Sequence, residues 1–156
     1  SIEAFEYVLE KSTGFNLRNL SEADVVLLTM WYPHRDEFIL NLAAKGIKCC
    51  FLMLDPDLPL PHNLEDLVGK KSGKTIIGFT MNPECLSRLR SERINALGLY
   101  HMAERADMNV VKREILFITE VYQRLKCIVI DITNLNNKDI LGQILCSIKN
   151  EREEIG

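Results

Sequence analysis

A short charged segment follows the first long apolar run of the sequence, and its residues are of kinds that contact phosphate. Residues 23–30 are mostly apolar and rich in valine and leucine, and residues 33–37 read Pro-His-Arg-Asp-Glu. Arg35 and His34 could donate to a phosphate at a helix start, where the first backbone amides are also free to bind an anion. The two carboxylates that follow favour a helix start but place negative charge where that anion would lie. The segment indicates either a phosphate contact or an ordinary solvated helix start.

The aromatic pair Trp31-Tyr32 lies between the apolar run and this charged segment. Aromatic side chains often dominate the free energy of protein–protein association, so a third interpretation takes Trp31 and Tyr32 as anchors for a partner. That interpretation weakens if Trp31 packs beneath the loop.

Four apolar segments without regular alternation predict buried strands at residues 23–30, 47–54, 74–81 and 127–133. Apolar residues at helical spacing predict helices at residues 2–11, 35–45, 63–68, 83–98, 108–126 and 137–153. Asn82 before Pro83 predicts an N-cap and a helix start. This order of elements predicts an α/β fold, a parallel sheet of about four strands with helices on both faces. Ligands of such sheets bind beyond the carboxyl ends of the strands, here residues 31–36, 54–59, 80–83 and 131–134.

The composition fits a single domain over residues 1–156. Of the 156 residues, 47% are hydrophobic and 26% are charged, and the net charge is −3. That charge argues against a nucleic-acid partner, whose binding depends on neutralised phosphates. No apolar run approaches the roughly 20 residues of a membrane-spanning helix.

Five cysteines and three histidines show no metal-ligand spacing, so we expect no metal site. Most of the cysteines lie in apolar runs, which predicts buried, reduced thiols: Cys49, Cys50, Cys85, Cys127 and Cys146. A reducing compartment follows, either the cytoplasm or the stroma of an organelle such as a plastid.

One stretch of the sequence resembles a known family. Residues 78–86 read Gly-Phe-Thr-Met-Asn-Pro-Glu-Cys-Leu, and the next helix carries Arg90 and Arg93 before Leu-Gly-Leu at residues 97–99. The regulatory proteins of pyruvate phosphate dikinase, and bacterial relatives acting on phosphoenolpyruvate synthase, carry a similar Gly-Leu-Thr-Ile-Asp-Pro-Glu-Arg-Leu, paired arginines and Leu-Gly-Leu. A later part of the family pattern is similar to Ala106-Asp107, Glu114 and the Val-Ile-Asp-Ile-Thr-Asn of residues 129–134. The chain thus resembles the C-terminal kinase domain of this family over nearly its whole length.

The resemblance implies a P-loop-kinase-like fold and a bifunctional enzyme. Family members transfer phosphate from ADP to a threonine of the dikinase, and they remove it with inorganic phosphate to yield pyrophosphate. ADP and inorganic phosphate are therefore the ligands implied if the chain is active, and no other cofactor is assigned. Full-length members carry a further N-terminal region with Ser-Asp-Ser-Thr-Gly, and we expect that half to be absent here.

Candidate site residues follow from positions in the family pattern. Arg35 and Asp131 are the candidates for catalysis. Arg90 and Arg93 fit either a phosphate-facing or an ordinary solvated helix face. Asp131 to Asn134 could orient a nucleotide or a substrate threonine, or form a turn that caps the last helix. The nucleotide- and phosphate-binding candidates are Thr29, Trp31, Tyr32, His34, Arg35, Asp36, Arg90, Arg93, Thr133 and Asn134.

The phosphate loop of the family is altered in this chain. Family members place Gly-Val-Ser-Arg-Thr-Ser-Lys-Thr-Pro where residues 29–37 read Thr-Met-Trp-Tyr-Pro-His-Arg-Asp-Glu. Thr29 adds a Cβ where glycine lets the backbone approach phosphate, and Asp36 replaces a hydroxyl that helps to hold metal. Arg35 keeps the charge of the family's lysine but not its geometry. A carboxylate about 4 Å from a phosphate oxygen repels it by roughly 1–4 kcal/mol, so we predict weak ADP binding.

Two further positions depart from the pattern. Asn82 stands where the family has aspartate, which removes a carboxylate but keeps a helix cap. Arg105 stands where the family has tyrosine.

These departures predict a divergent family member, a pseudoenzyme with a binding or regulatory role. We expect an oligomer and a protein partner, which is the dikinase, an active paralogue or a larger assembly. One alternative is an active ADP-dependent threonine kinase and phosphate-dependent pyrophosphorylase that regulates pyruvate phosphate dikinase or phosphoenolpyruvate synthase. Another is an unrelated α/β interaction module.

Overall fold

The structure is a computed structural model that describes residues 17–32, 36–58, 60, 64–69 and 72–155. For residues 17–19, 36–39, 154 and 155 it describes the backbone alone. The helix predicted at residues 2–11 lies outside the described residues.

Four strands alternate with helices along the chain. The strands are β1 (Val25–Thr29), β2 (Cys49–Met53), β3 (Thr75–Thr80) and β4 (Ile128–Asp131). The helices are α1 (Leu17–Glu22), α2 (Asp36–Ala44), α3 (Leu64–Val68), α4 (Pro83–Leu97), α5 (Met108–Leu125) and α6 (Asn137–Ile155), with a 3-10 helix (Tyr100–Ala106) before α5. The predicted strands and the five predicted helices after residue 32 are confirmed. The sequence did not predict α1 or the 3-10 helix, because α1 has only six residues and the 3-10 helix buries none of its own.

The sheet is entirely parallel, with the strand order β2-β1-β3-β4. All five residues of β1 are buried, as expected for a central strand covered on both faces. The chain leaves β1 toward β2 on one side and returns to pair β3 on the other. Such a reversal places the ligand crevice of a parallel sheet between the carboxyl ends of these two strands. The predicted α/β fold class is confirmed.

Helix α5 packs closely on the sheet at Gly78, a residue of the family-like motif. A Cβ at Gly78 would lie 2.6 Å from Cζ of Tyr122, so glycine is required for this approach. The Tyr122 hydroxyl lies 2.7 Å from the carbonyl oxygen of Phe79 and 3.0 Å from that of Leu28, and donates to this pair. Burial raises the pKa of Tyr122 well above its ordinary value. One side chain thus joins β1 and β3 near their carboxyl ends.

Side-chain caps fix the starts of the two helices that cover this region. Asn82 Oδ1 accepts from the amides of Glu84 (2.9 Å) and Cys85 (3.2 Å), which confirms the predicted cap of α4. Asp107 caps α5 by accepting from the amide of Asn109 at 3.0 Å. Asp107, one of the family-like residues, therefore has a structural role.

Candidate functional site

The carboxyl ends of the strands bring the predicted residues to one edge of the sheet. Trp31 follows β1, Asp55 follows β2, Asn82 follows β3, and Asp131 is the last residue of β4. This edge is where parallel sheets bind ligands, and it is the candidate functional site.

Part of the predicted phosphate loop lies outside the described residues. His34 and Arg35 are among the residues that are not described, and Asp36 is described only as the first backbone position of α2. Their assigned contacts with phosphate stay predictions.

Thr29, which stands at the glycine position of the loop, is fully buried. Its hydroxyl donates to the carbonyl oxygen of Met30 at 3.0 Å. The threonine side chain therefore belongs to the core rather than to a surface that meets solvent.

The aromatic pair after β1 is not an exposed anchor. Tyr32 is only 6% exposed, and Trp31 is half-buried beneath two guanidinium groups. The Cζ atom of Arg90 lies 5.2 Å from the Trp31 ring centroid, and that of Arg105 lies 5.8 Å away. These are distances of cation–π contacts. The interpretation of Trp31 and Tyr32 as partner anchors is weakened, because the indole is already packed against the protein.

Arg90 and Arg93 lie in different environments, so they do not form a common phosphate-facing or solvated face. Arg93 is exposed, whereas Arg90 is fully buried. Arg90 Nε donates to the carbonyl oxygen of Trp31 at 3.1 Å, and Nη1 donates to that of Arg105 at 2.8 Å. The structure places Arg90 inside the site as a support for the chain after β1.

A buried network of charges links four segments at this edge. Arg90 Nη1 contacts Oε2 of Glu114, and Arg105 Nη2 lies 3.2 Å from Oε1 of the same carboxylate. Arg105 Nη1 lies 3.1 Å from Oδ2 of Asp55. We refer to Asp55, Arg90, Arg105 and Glu114 as the charge network. Two cations and two carboxylates make its formal charge zero.

Pairing is what makes these buried charges tolerable. Burial lowers the pKa of Arg90, and the neighbouring carboxylate of Glu114 opposes that shift. An arginine still remains charged at neutral pH, because its ordinary pKa is far higher. The network therefore acts by positioning and by charge balance rather than by proton transfer.

Two donors of the charge network have no hydrogen-bond acceptor. Nη2 of Arg90 and Nε of Arg105 are buried without a partner. Both guanidinium groups face the ring of Trp31, whose electron-rich face offers them a weak substitute.

Sequence reasoning did not identify this network, although a signal was present. On α4, Arg90 lies between Leu86 and Ile94 at four-residue intervals, and on α5, Glu114 lies between Val111 and Ile118. Residues at such spacing share one helix face. Opposite charges on the apolar faces of two helices indicate a buried ion pair.

The ends of β3 and β4 are joined by neutral and acidic side chains. Asp131 Oδ1 accepts from the hydroxyl of Thr133 at 2.6 Å and from its amide at 2.9 Å. The Thr133 hydroxyl in turn accepts from the amide of Asn82 at 2.8 Å. Asn134 takes a positive φ of 58°, as turn residues often do. These contacts form the turn that was one of the two predictions for Asp131, Thr133 and Asn134, and their role in ligand binding stays a prediction.

The cysteines match the prediction of free thiols, but they match the prediction of burial only in part. All five are free thiols, and Cys50 and Cys85 are buried, but Cys146 is exposed. The prediction of burial is wrong for Cys146, which lies on the outer face of α6. Burial raises the pKa of Cys49 and Cys50 to about 12 and that of Cys127 to about 11, which makes these thiols poor nucleophiles.

Within the described part of the chain, no group of three or more His, Cys, Asp or Glu side chains could hold a metal ion. Among the helices of the described residues, none has the length and apolar content that crossing a membrane requires.

The fold and site define an α/β protein with a four-stranded parallel sheet and a network of paired charges at the carboxyl ends of its strands. The sequence model of the Kinase/pyrophosphorylase family matches residues 1–145, and the chain belongs to that family. A protein named pyruvate, phosphate dikinase regulatory protein 2 from Enterococcus faecalis is 35% identical over 150 residues, which cover 96% of this chain and 53% of the relative. Proteins named pyruvate, phosphate dikinase regulatory protein from Clostridioides difficile and Thermoanaerobacter sp. are 30% and 34% identical over 148 residues, 95% of this chain and 51% and 53% of theirs.

The chain spans about half the length of these curated relatives. The family resemblance drawn from the motifs is confirmed, and the alternative of an unrelated α/β module is wrong.

Proposed function

We propose that this chain is a kinase/pyrophosphorylase domain in which nucleotide-dependent phosphoryl transfer is lost or strongly weakened. Its role is then to bind or regulate a protein partner. The observation that carries the proposal is the altered phosphate loop of residues 29–37 on an otherwise retained family scaffold.

Thr29 supports this proposal as a departure from the glycine of the loop pattern and not as an obstacle at the site, because its side chain packs in the core. A phosphate loop needs a backbone that approaches the anion closely, and glycine permits that approach because it lacks a Cβ. Here the position carries a threonine whose side chain is fully buried and bonded to the carbonyl of Met30. Restoring a glycine would also remove atoms from the core, so the change has become part of the packing.

The arginine at position 90 supports the proposal in a second way. A cation that stabilises a transferring phosphoryl group must have charge available for it. Arg90 is fully buried, and its charge is balanced by the carboxylate of Glu114. Arg93 is exposed, but a single solvated arginine lacks the preorganised surroundings that such catalysis uses.

The partner is proposed from the names of the relatives, which are regulatory proteins of pyruvate, phosphate dikinase. The candidates are the dikinase itself, an active paralogue of this chain, or a larger assembly that includes an oligomer of this chain. A bacterial cytoplasm is the proposed compartment, because the relatives named above are bacterial and the five cysteines are free thiols.

Calorimetry with ADP tests the loss of nucleotide binding, and a threonine-phosphorylation assay with pyruvate phosphate dikinase tests the loss of transfer. We expect no ADP binding at micromolar concentration and no phosphorylation, while the Enterococcus faecalis relative assayed in parallel serves as the comparison. Micromolar ADP binding together with turnover by this chain would overturn the proposal. Asp36→Thr combined with Arg35→Lys should strengthen ADP binding if charge in the loop is the cause.

The second candidate function is an active ADP-dependent threonine kinase and phosphate-dependent pyrophosphorylase. Two observations favour it: Arg35 keeps a cation at the lysine position, and Asp131 is exposed at the end of β4. In that case Arg35→Ala should abolish transfer to the dikinase, and Asp131→Asn should reduce it without affecting the fold.

A further inference from the structure

The loop after β2 carries two carboxylates in contrasting surroundings. The Asp55 side chain is nearly buried, with Oδ1 accepting from the amide of Asp57 at 2.9 Å and Oδ2 lying 3.1 Å from Arg105 Nη1. Asp57 is exposed, and its Oδ2 lies 3.3 Å from Nη2 of Arg113, whose side chain is also exposed. Although the two residues are only two positions apart, the Asp55 carboxylate is hydrogen-bonded within the protein and the Asp57 carboxylate is exposed to solvent.

Arg105 depends on Asp55 for its charge balance. Glu114 is already shared with Arg90, so Asp55 is the carboxylate that brings the charge network to neutrality. The Arg105 side chain is 30% exposed, whereas that of Arg90 is not exposed at all, and Nε of Arg105 has no acceptor. Without the charge of Asp55, this partly accessible guanidinium would carry uncompensated charge and unused donors.

We propose that Asp55 is an internal anion that masks Arg105, and that Arg105 is a latent site for a small oxyanion such as phosphate or pyrophosphate. A guanidinium binds carboxylate and phosphate through the same fork of donors, so the Asp55 carboxylate takes the place of an external oxyanion.

The inference deepens the proposed function, on which it rests, by naming a second cause of weak phosphate binding at the same edge of the sheet. That cause lies beside β2 and involves none of residues 33–37. The charge network pairs its two arginines with carboxylates of the protein itself, so their charges are balanced without a ligand.

Asp55→Asn separates the charge of Asp55 from its structural role. The amide oxygen can still accept from the amide of Asp57, which preserves the turn, while the network changes from neutral to one net positive charge. Asp55→Ser is a second variant, because a serine hydroxyl also accepts from the amide two residues further on. Asp57→Asn is the matched control, since it removes the same charge from the same loop at a solvated position.

The experiment titrates inorganic pyrophosphate into the unmodified chain and each variant, with calorimetry as the readout. Fluorescence of Trp31, the only tryptophan of the chain, gives a local readout because Arg105 Cζ lies 5.8 Å from its ring. Circular dichroism establishes that each variant is folded.

We expect Asp55→Asn or Asp55→Ser to lower the pyrophosphate dissociation constant by about tenfold, with a change in Trp31 fluorescence. Asp57→Asn should match the unmodified chain, and adding Arg105→Gln to Asp55→Asn should cancel the gain. Unchanged affinity in a folded Asp55 variant would overturn the inference, as would an equal gain in Asp57→Asn. Strong ADP binding by the unmodified chain would instead overturn the proposed function. The difference in pyrophosphate affinity between the Asp55 and Asp57 variants would still test whether Asp55 masks Arg105.

Discussion

The carboxyl ends of the four strands form one edge of the sheet, and the two halves of this edge hold their polar groups in different ways. Beside β1 and β2, two buried carboxylates are paired with the buried Arg90 and the partly buried Arg105 in the charge network against Trp31. Beside β3 and β4, Asp131 is exposed, and Thr133 links it to the backbone of Asn82. One half is largely buried and balanced by charge, and the other is exposed and held by hydrogen bonds among a carboxylate, a hydroxyl and a backbone amide.

The difference shows how solvent decides what a polar residue can do. An uncompensated charge is costly in the buried half, so each arginine there is matched by a carboxylate of the protein. In the exposed half, water solvates Asp131, and one carboxylate can remain without a cation. Removing one polar group should therefore lower the free energy of unfolding strongly beside β1 and β2 and only slightly beside β3 and β4.

Glu114→Gln should have the largest effect, a loss of about 3–5 kcal/mol in the free energy of unfolding, because it leaves two guanidinium groups with too little negative charge. Urea unfolding followed by circular dichroism measures the loss. Glu120→Gln on the exposed face of α5 is the control and should change little. A loss below about 1 kcal/mol would contradict a buried, charge-dependent network.

Gly78→Ala should cost about 1–3 kcal/mol, because the new Cβ would overlap the Tyr122 ring between the two halves. The same urea experiment serves here. Gly142→Ala is the contrasting control, because no atom lies near its Cβ position and α6 should gain about 0.5–1 kcal/mol. Equal effects at both glycines would argue against a close approach at Gly78.

Thr133→Val should cost about 1 kcal/mol, because it leaves the amide of Asn82 without its acceptor in the exposed half. Thr133→Ser keeps the hydroxyl and should retain most of the stability. Thermal unfolding of the two variants side by side measures the difference, and a loss as large as that of Glu114→Gln would erase the contrast between the halves.

Asp57→Asn should have the smallest effect, less than about 0.5 kcal/mol, because both members of its ion pair are exposed to solvent. Unfolding at low and high salt measures it, and high salt should remove whatever difference exists. A large loss in the free energy of unfolding that does not depend on salt would show that Asp57 behaves like the buried carboxylates beside β1 and β2.

Much of the fold could be predicted from the sequence, because its signals are local. The apolar run of β1 has no polar alternation, which reflects a strand covered on both faces. Asn82 before Pro83 marked the start of α4 to the residue. Gly78 belonged to a recognisable motif, but the ring of Tyr122 that requires it comes 44 positions later and gave no local sign.

The charge network could not be predicted from local patterns, because its four members come from four segments. Arg90 was expected on a phosphate-facing or solvated helix face, and only its spacing from Leu86 and Ile94 indicated burial. Arg105 appeared only as a departure from the family pattern. Its contacts depend on how the 3-10 helix, α5 and the loop after β2 meet in space.

Helix α5 carries a consequence of this arrangement. Its Glu114 holds the arginines beside β1 and β2, and eight residues later its Tyr122 reaches the carbonyls of Leu28 and Phe79. Helix α5 therefore contacts both halves of this edge of the sheet. A rotation or slide of α5 would be transmitted to the two halves together, so neither half should loosen on its own.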